Sequence, residues 1–427
     1  MAKKWQVAHV SRWQEGIAAL LEKKESSISK VGILYDDVMA AHAPLKDNFI
    51  WDAERPERVA ESMRELEESG LTELCLRVPI KLATREQILR CHYEAYVDKM
   101  LSLEACEEGE RLEATAAEYN SVFLNSHSIK AAQISCGAVV TAVERCLSVT
   151  EEDRLHAAAC VTRPPGHHAE GDCAMGFCIF NNVAVAARHA TTSFGLERVL
   201  IVDWDVHHGN GCQAIFADDP KVLYFSIHRY VNLALAHTHI HSPTHNTYRW
   251  DRGAFYPGVV VERVGADAGS PSYVGEGEGK GFSVNVGWYG EGDYEAPAMG
   301  DPEYLLAWET VLLPIASSFK PQLILIAAGF DAARGDPYGF CDVTPIGYAR
   351  LTSLLLQLGA PVVLALEGGY NVPSIKYSLS ACVAALCGAN AEELEKHDKE
   401  QKVKKEALTS IQSTIEAQAK YWPSLQQ

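Results

Sequence analysis

The stretch Asp203-Trp204-Asp205-Val206-His207-His208-Gly209-Asn210 sets carboxylates and imidazoles at alternate positions, directly after the apolar run Val199-Leu200-Ile201-Val202. Successive side chains of an extended chain point to opposite sides, so Asp203, Asp205 and His207 share one side wherever strand geometry persists. Three metal-competent groups on one side of a buried strand end are costly unless a cation or hydrogen bonds satisfy them. Taken alone, the stretch reads more readily as an ordinary strand running into a polar loop. Three further stretches have the same form. Arg163-Pro164-Pro165-Gly166-His167-His168-Ala169-Glu170 follows the apolar run from Ala157 to Val161. Gly329-Phe330-Asp331 follows Leu323 to Ala328, and Glu367-Gly368-Gly369-Tyr370 follows Val362 to Leu366.

Asp205, His207 and Asp331 offer two carboxylates and one imidazole. Three protein ligands leave a position for water, which is what a catalytic zinc site requires. Iron(II) or another divalent ion suits the same ligand types. His167 and His168 sit on a loop restrained by two prolines and a glycine, and a base of near-neutral pKa serves metal-assisted attack by water. Two vicinal histidines on their own are as often structural. Asp203 and Asn210 are acceptors suited to orienting them. An Asp partner favours the imidazolium and an Asn partner does not, so the two histidines are expected to differ in pKa. Tyr370 follows two glycines, whose freedom in φ lets a loop deliver a phenol to a developing oxyanion; packing is its plainer role.

Positioning these groups takes a particular set of elements. Apolar runs at 31–35, 157–161, 199–202, 222–227, 282–286, 323–328 and 362–366 read as strands. Helical patterns at about 54–70, 84–107, 128–147, 182–192, 303–318 and 346–358 lie among them. Such alternation implies a mostly parallel sheet with helices on both faces. All four polar clusters then fall on the carboxyl edge of the sheet, where open α/β folds bind ligands. Residues 1–30 read as a leader, 31–388 as one domain and 389–427 as a helical extension with Tyr421 and Trp422 able to dock. Residues 231–250 break the rhythm. Their four histidines, His237, His239, His241 and His245, are irregularly spaced, so the segment reads as a surface insertion rather than a metal site.

The chain has 427 residues, 47% apolar and 22% charged, a globular composition. A net charge of −18 opposes direct binding to nucleic acid. No run of eighteen apolar residues offers a membrane span, and no secretory apolar core follows Met1, so a nuclear or cytoplasmic setting is expected. Lys402, Lys404 and Lys405 are a weak basic run. The 12 cysteines contain no Cys-x-x-Cys pair and read as reduced thiols.

The segments RPPGHHAEGDCAMGFCIFNN, VLIVDWDVHHGNGCQAIF, AAGFDAARGDP and LEGGYN resemble the class II zinc-dependent histone deacetylases, in order, over about residues 31–388. The resemblance implies the three-layer arginase/deacetylase α/β fold, with a central mostly parallel sheet of about eight strands. It implies zinc on Asp205, His207 and Asp331. His168 becomes the general base and acid, His167 its electrostatic partner, and Asp203 and Asn210 their hydrogen-bond partners. Tyr370 matches the tyrosine that stabilises the oxyanion, where weakly active members carry His. Gly176, Phe177 and Tyr256 match the wall of an acyl-lysine channel. Tyr338 stands at the rim where polyamine-selective members carry a glutamate. A structural potassium ion is implied at Asp203, Asp205, His207, Ser226 and Ile227. The implied reaction is hydrolysis of Nε-acetyl-lysine in histones or other proteins, giving lysine and acetate, with a corepressor complex as a further partner. An acetylpolyamine amidohydrolase and a scaffold of little activity are the competing readings. Family members join SIHRY (226–230) closely to GAFYP (253–257); here the insertion intervenes, as either a substrate gate or a retained intron.

Overall fold

In the computed structural model, which describes residues 30–45, 53–107, 109–230, 255–257, 269–289, 298–389 and 402–426, eight strands form one sheet. They are β1 (Val31–Leu34), β2 (Leu76–Arg77), β3 (Ala157–Cys160), β4 (Val199–Asp203), β5 (Val222–Tyr230), β6 (Ser283–Tyr289), β7 (Leu323–Ala328) and β8 (Val362–Leu366). Their order is β2-β1-β3-β8-β7-β4-β5-β6, and every pairing is parallel. The helices used below are α1 (Glu57–Glu68), α2 (Ser128–Cys146), α3 (Asn182–Ser193), α4 (Pro345–Leu356), α5 (Val372–Leu386) and α6 (Lys405–Gln418).

Burial on both faces explains why the strands read as unbroken apolar runs rather than alternating ones. In β7, Leu323, Leu325 and Ala327 pack into one core with α2 and α3. The intervening Ile324, Ile326 and Ala328 pack into the other with α1, α4 and α5. The chain leaves β3 and returns as β4 three places along the sheet; β8 and β7 fill the gap. The four polar loops therefore issue from four neighbouring strands, β3, β8, β7 and β4. Capping marks where two of these loops end. Asn181 accepts from the Ala184 N–H at the start of α3, and Asn371 from the Ser374 N–H at the start of α5.

The helical pattern of 84–107 splits into two pieces, Arg85–Ile88 and Glu94–Leu101. Between them the Tyr93 N–H leaves the helix and donates to the Gly171 carbonyl at 2.7 Å, so a tertiary contact overrides local periodicity. Strand β2, absent from the apolar runs, has two residues on the sheet edge, neither of them fully buried. At the opposite edge α6 covers β6. Thr414 Oγ1 donates to the Asn285 carbonyl at 2.8 Å, and Gln418 Nε2 to that of Ser283 at 2.6 Å. Trp422 Nε1 donates to the Gly281 carbonyl at 2.7 Å. The first two bonds satisfy carbonyls of the edge strand itself, which are otherwise open to pairing. The leader, apart from Lys30, and the 231–250 insertion lie outside the described residues, as do residues 390–401. Among the described residues no helix is long and apolar enough to cross a membrane.

A buried ionic cluster joins α1 to the polar edge. Glu54 Oε1 accepts from Arg58 Nη1 at 2.7 Å and from Arg163 Nε at 2.8 Å, all three side chains being inaccessible to solvent. Arg58 also donates to the carbonyls of Gly369 and Glu367. Arg163 also donates to those of Met39, His42 and Glu54. Breaking one partner of such a set leaves a buried charge, at a cost of about 3–5 kcal/mol. His42 is stacked on Phe123 and bonded through Nδ1 to Ser128 Oγ at 2.7 Å. Burial, with the nearby positive charge of Arg163, lowers its pKa to about 3. His42 is thus neutral when folded and takes up a proton on unfolding below about pH 6.5. The contribution of His42 to stability therefore falls as pH drops from 6.5 towards 3. Urea unfolding measured across that range is expected to show a slope that includes about 1.4 kcal/mol per pH unit from this one group, and His42→Gln to remove that component.

Candidate active site

Strand β4 ends at Asp203, and the chain then bends through residues 205–207, the Asp205 and His207 N–H groups donating to Asp203 Oδ1 and Asp205 Oδ1, which brings Asp205 and His207 towards Asp331 after β7. One donor atom from each of Asp205, His207 and Asp331 lies within 4.8 Å of the others, and all three residues are buried. His207 Nδ1 is 3.2 Å from Asp205 Oδ1 and 3.0 Å from Asp331 Oδ2. Backbone groups hold the carboxylates: Gly368 N–H donates to Asp205 Oδ2 at 2.8 Å and Val206 N–H to Asp331 Oδ1 at 2.8 Å. Two glycines permit this crowding. A Cβ at Gly329 would stand 2.1 Å from Asp205 Oδ2, and one at Gly368 would stand 2.4 Å from Asp331 Oδ2. Phe255 stacks on the His207 ring at 4.8 Å and 8°.

The carboxylates of this set draw positive charge towards them. Burial opposes ionisation of Asp205, yet the positive charge of His167 and the proximity of His207 keep its carboxyl below the usual range. Burial and the charge of Asp205 push Asp331 up to about 7. His207 is disfavoured by burial as an imidazolium, but its bonds to Asp205 and Asp331 raise it to about 9. Two buried carboxylates converging with one imidazole are a donor set that fits a divalent ion of the zinc type.

The loop after β3 brings His167 and His168 beside this set, their ring centroids 4.0 Å apart. His167 Nδ1 lies 3.0 Å from Asp203 Oδ2, which also accepts from the Tyr224 hydroxyl. His168 Nδ1 lies 2.8 Å from Asn210 Oδ1. The Asn210 amide group donates to the His168 carbonyl and to Glu170 Oε1, which turns its oxygen towards His168. His168 Nδ1 is therefore the protonated nitrogen, and its Nε2 lone pair is left as a base. Burial lowers both histidines, but Asp205 and Asp203 more than offset it at His167, which reaches about 10. At His168 burial is reinforced by the charges of His167 and His207, and its pKa falls well below the ordinary value. The two neighbouring imidazoles are thus driven apart, His167 towards the charged form and His168 towards the neutral one.

Tyr370, after β8, lies with its ring centroid 6.4 Å from that of His207. Burial and the charges of Asp331 and Asp205 raise its pKa well above the ordinary value, which keeps the phenol a donor. Phe177 lies 6.0 Å from the Tyr370 ring, and Tyr256 meets His168 edge-on at 5.0 Å. Gly176, at φ +55, allows this approach, since a Cβ there would stand 2.5 Å from His168 Cδ2 and 2.9 Å from the Tyr256 hydroxyl. Tyr338 is set edge-on to Tyr370 at 5.2 Å. Ser226 pairs in register with Asp203, and both Ser226 and Ile227 are buried on β5. His208 points away from the set, to Gln213 Oε1 at 3.0 Å.

Some contributors carry little sequence signal. Glu367 Oε2 accepts from the N–H groups of Gly166 and His167, tying the β8 loop to the histidine loop. Its position, a charge directly after an apolar run, was the available clue. His92 contacts the Glu170 carbonyl through Nδ1 at 2.8 Å and accepts from the Asn181 N–H through Nε2, bracing the same loop. Nothing in its sequence context distinguishes it. Arg58 pins the two carbonyls flanking Gly368 from a helix far away in the chain.

The family described as "Histone deacetylase domain" matches residues 52–386. "Histone deacetylase 18" of Arabidopsis thaliana is 37% identical over 401 residues, which is 93% of this chain and 52% of that protein. "Polyamine deacetylase HDAC10" of Homo sapiens is 37% identical over 396 residues, 92% of this chain and 53% of that protein. The chain thus spans about half the length of these curated relatives. Among solved structures, the "Crystal Structure of HDA15 HD domain" is similar with a TM-score of 0.77 and 33% identity, covering 94% of this chain and 97% of that one. Agreement of this extent, in sequence and in fold, means that the chain belongs to the histone deacetylase family.

Proposed function

We propose that the chain, through a catalytic unit spanning residues 31–388, hydrolyses the amide of Nε-acetyl-lysine in a histone or another protein, giving lysine and acetate. The observation that carries this reading is the convergence of Asp205, His207 and Asp331 with His168, held through Nδ1 by Asn210, and with the ring of Tyr370. Zinc is the metal proposed for the set, where it supplies polarisation of the acetyl carbonyl and acidification of a water to a pKa of about 7. A potassium ion beside Asp203, Asp205, His207, Ser226 and Ile227 is proposed as structural.

The chain's own groups divide the remaining work. His168 Nε2 accepts the proton of the attacking water and returns it to the departing lysine nitrogen. Asn210 holds the tautomer that leaves Nε2 free for this. His167, charged against Asp203, faces the developing negative charge and keeps His168 unprotonated. Tyr370 donates to the oxygen of the tetrahedral adduct. Phe177 and Tyr256 enclose the methylene stem of the substrate lysine, which gains from leaving water.

A second reading has support of its own, since a 37% identical relative bears the name polyamine deacetylase. Against it, Tyr338 puts a phenol rather than a carboxylate at the rim, where a free polyamine cation would need a negative partner. Two outcomes are expected in steady-state assays of the zinc-loaded protein. Tyr370→Phe should lower kcat by about 10²–10³-fold, with a much smaller change in KM. An acetyl-lysine peptide should be turned over with a higher kcat/KM than acetylspermidine. The reverse order would favour the polyamine reading, and no turnover of either substrate would favour a scaffold.

A further inference from the structure

Six backbone contacts fix the short loop that carries Tyr370. Glu367 N–H donates to the Ala328 carbonyl, and Phe330 N–H donates to that of Gly368. Arg58 holds the carbonyls of Glu367 and Gly369, and Asp205 accepts from Gly368 N–H. The sixth contact is to Asp336, whose Oδ2 accepts from the Tyr370 N–H at 2.7 Å. Asp336 is 8% exposed and belongs to the loop after β7, not to the loop it holds. Its other oxygen, Oδ1, accepts from the N–H groups of Tyr338 at 2.8 Å and Gly339 at 3.1 Å.

One buried carboxylate thus grips the backbone of two tyrosines from different loops, and their rings meet edge-on at 5.2 Å. We infer that Asp336 is a positioning residue: it sets the phenol of Tyr370 for the reaction and, through the same carboxylate, couples that placement to the rim residue Tyr338. The inference rests on the reading of Tyr370 as the oxyanion donor. Carboxylates suit the task because both oxygens accept, and bonds from N–H groups to a charged acceptor are stronger than neutral ones. An amide at this position keeps one acceptor and turns a donor on the other backbone N–H, so one of the two loops is released. Donor placement is demanding, and a displacement of about 1 Å can cost 10²-fold in rate.

The test is a double-mutant cycle on the zinc-loaded protein, with kcat and KM measured for Asp336→Asn, Tyr370→Phe and both together. Metal content and thermal midpoint are recorded for each. Asp336→Asn is expected to lower kcat by about 10–100-fold when Tyr370 is present, and by no more than about twofold in the Tyr370→Phe background. Release of Tyr338 is expected to appear separately, in KM. An equal loss of kcat in both backgrounds overturns the inference and makes Asp336 merely structural. An unchanged kcat in Tyr370→Phe overturns the reading of Tyr370 itself, whatever Asp336→Asn does. Should Asp336→Asn fail to fold, the cycle is run with Asp336→Glu, which keeps both oxygens but moves them by one methylene. It is expected to show a smaller kcat loss, again confined to the Tyr370 background; a loss that persists in Tyr370→Phe overturns the inference.

Discussion

Two carboxylates buried against one imidazole are the constraint on which the rest of the structure depends. Asp205 and Asp331 come from different strands, and neither is accessible to water. Bringing like charges together away from solvent is unfavourable unless a cation balances them, so the fold must hold them by force of packing. It does so by placing β4 and β7 side by side in register, with Asp203 opposite Ala327. Backbone N–H groups of Val206 and Gly368 then occupy one oxygen of each carboxylate. The glycines at 329 and 368 matter because any side chain there would collide with those oxygens.

The same electrostatics separates two neighbouring histidines. His167 and His168 share a loop and are both buried, yet one faces a carboxylate and the other an amide. Asp205 and Asp203 together favour a positive charge on His167; burial, reinforced by that charge, disfavours one on His168. A base and a fixed positive charge therefore arise from adjacent residues of the same type, through partners supplied by β4 and the segment after it. Glu367 and His92 brace the loop so that this difference is preserved.

Much of this was legible in the sequence because of one regularity. Apolar runs buried on both faces identify parallel strands, and polar residues directly after them fall on one edge of the sheet. Asp205, His207, Asp331, His167, His168 and Tyr370 all follow that rule. Residues that act from outside it were not legible. His92 meets the histidine loop at a break between two helices, next to Tyr93, whose N–H bonds the Gly171 carbonyl. Arg58 and Asp336 act on backbone carbonyls and N–H groups, which any sequence contains. The two-residue strand β2 is too short to leave a pattern, and the break at residues 89–93 is imposed by a tertiary bond against a continuous helical periodicity.

The most direct measurement is the zinc content of the purified chain, loaded with zinc and dialysed exhaustively, determined by elemental mass spectrometry for the unmodified protein and for Asp205→Asn/Asp331→Asn. Retention of about one zinc per chain by the unmodified protein, and almost none by the folded double variant, is the result expected of a three-ligand site. Equal retention by both proteins, or none by the unmodified protein, would contradict the assignment of Asp205, His207 and Asp331 as the metal centre.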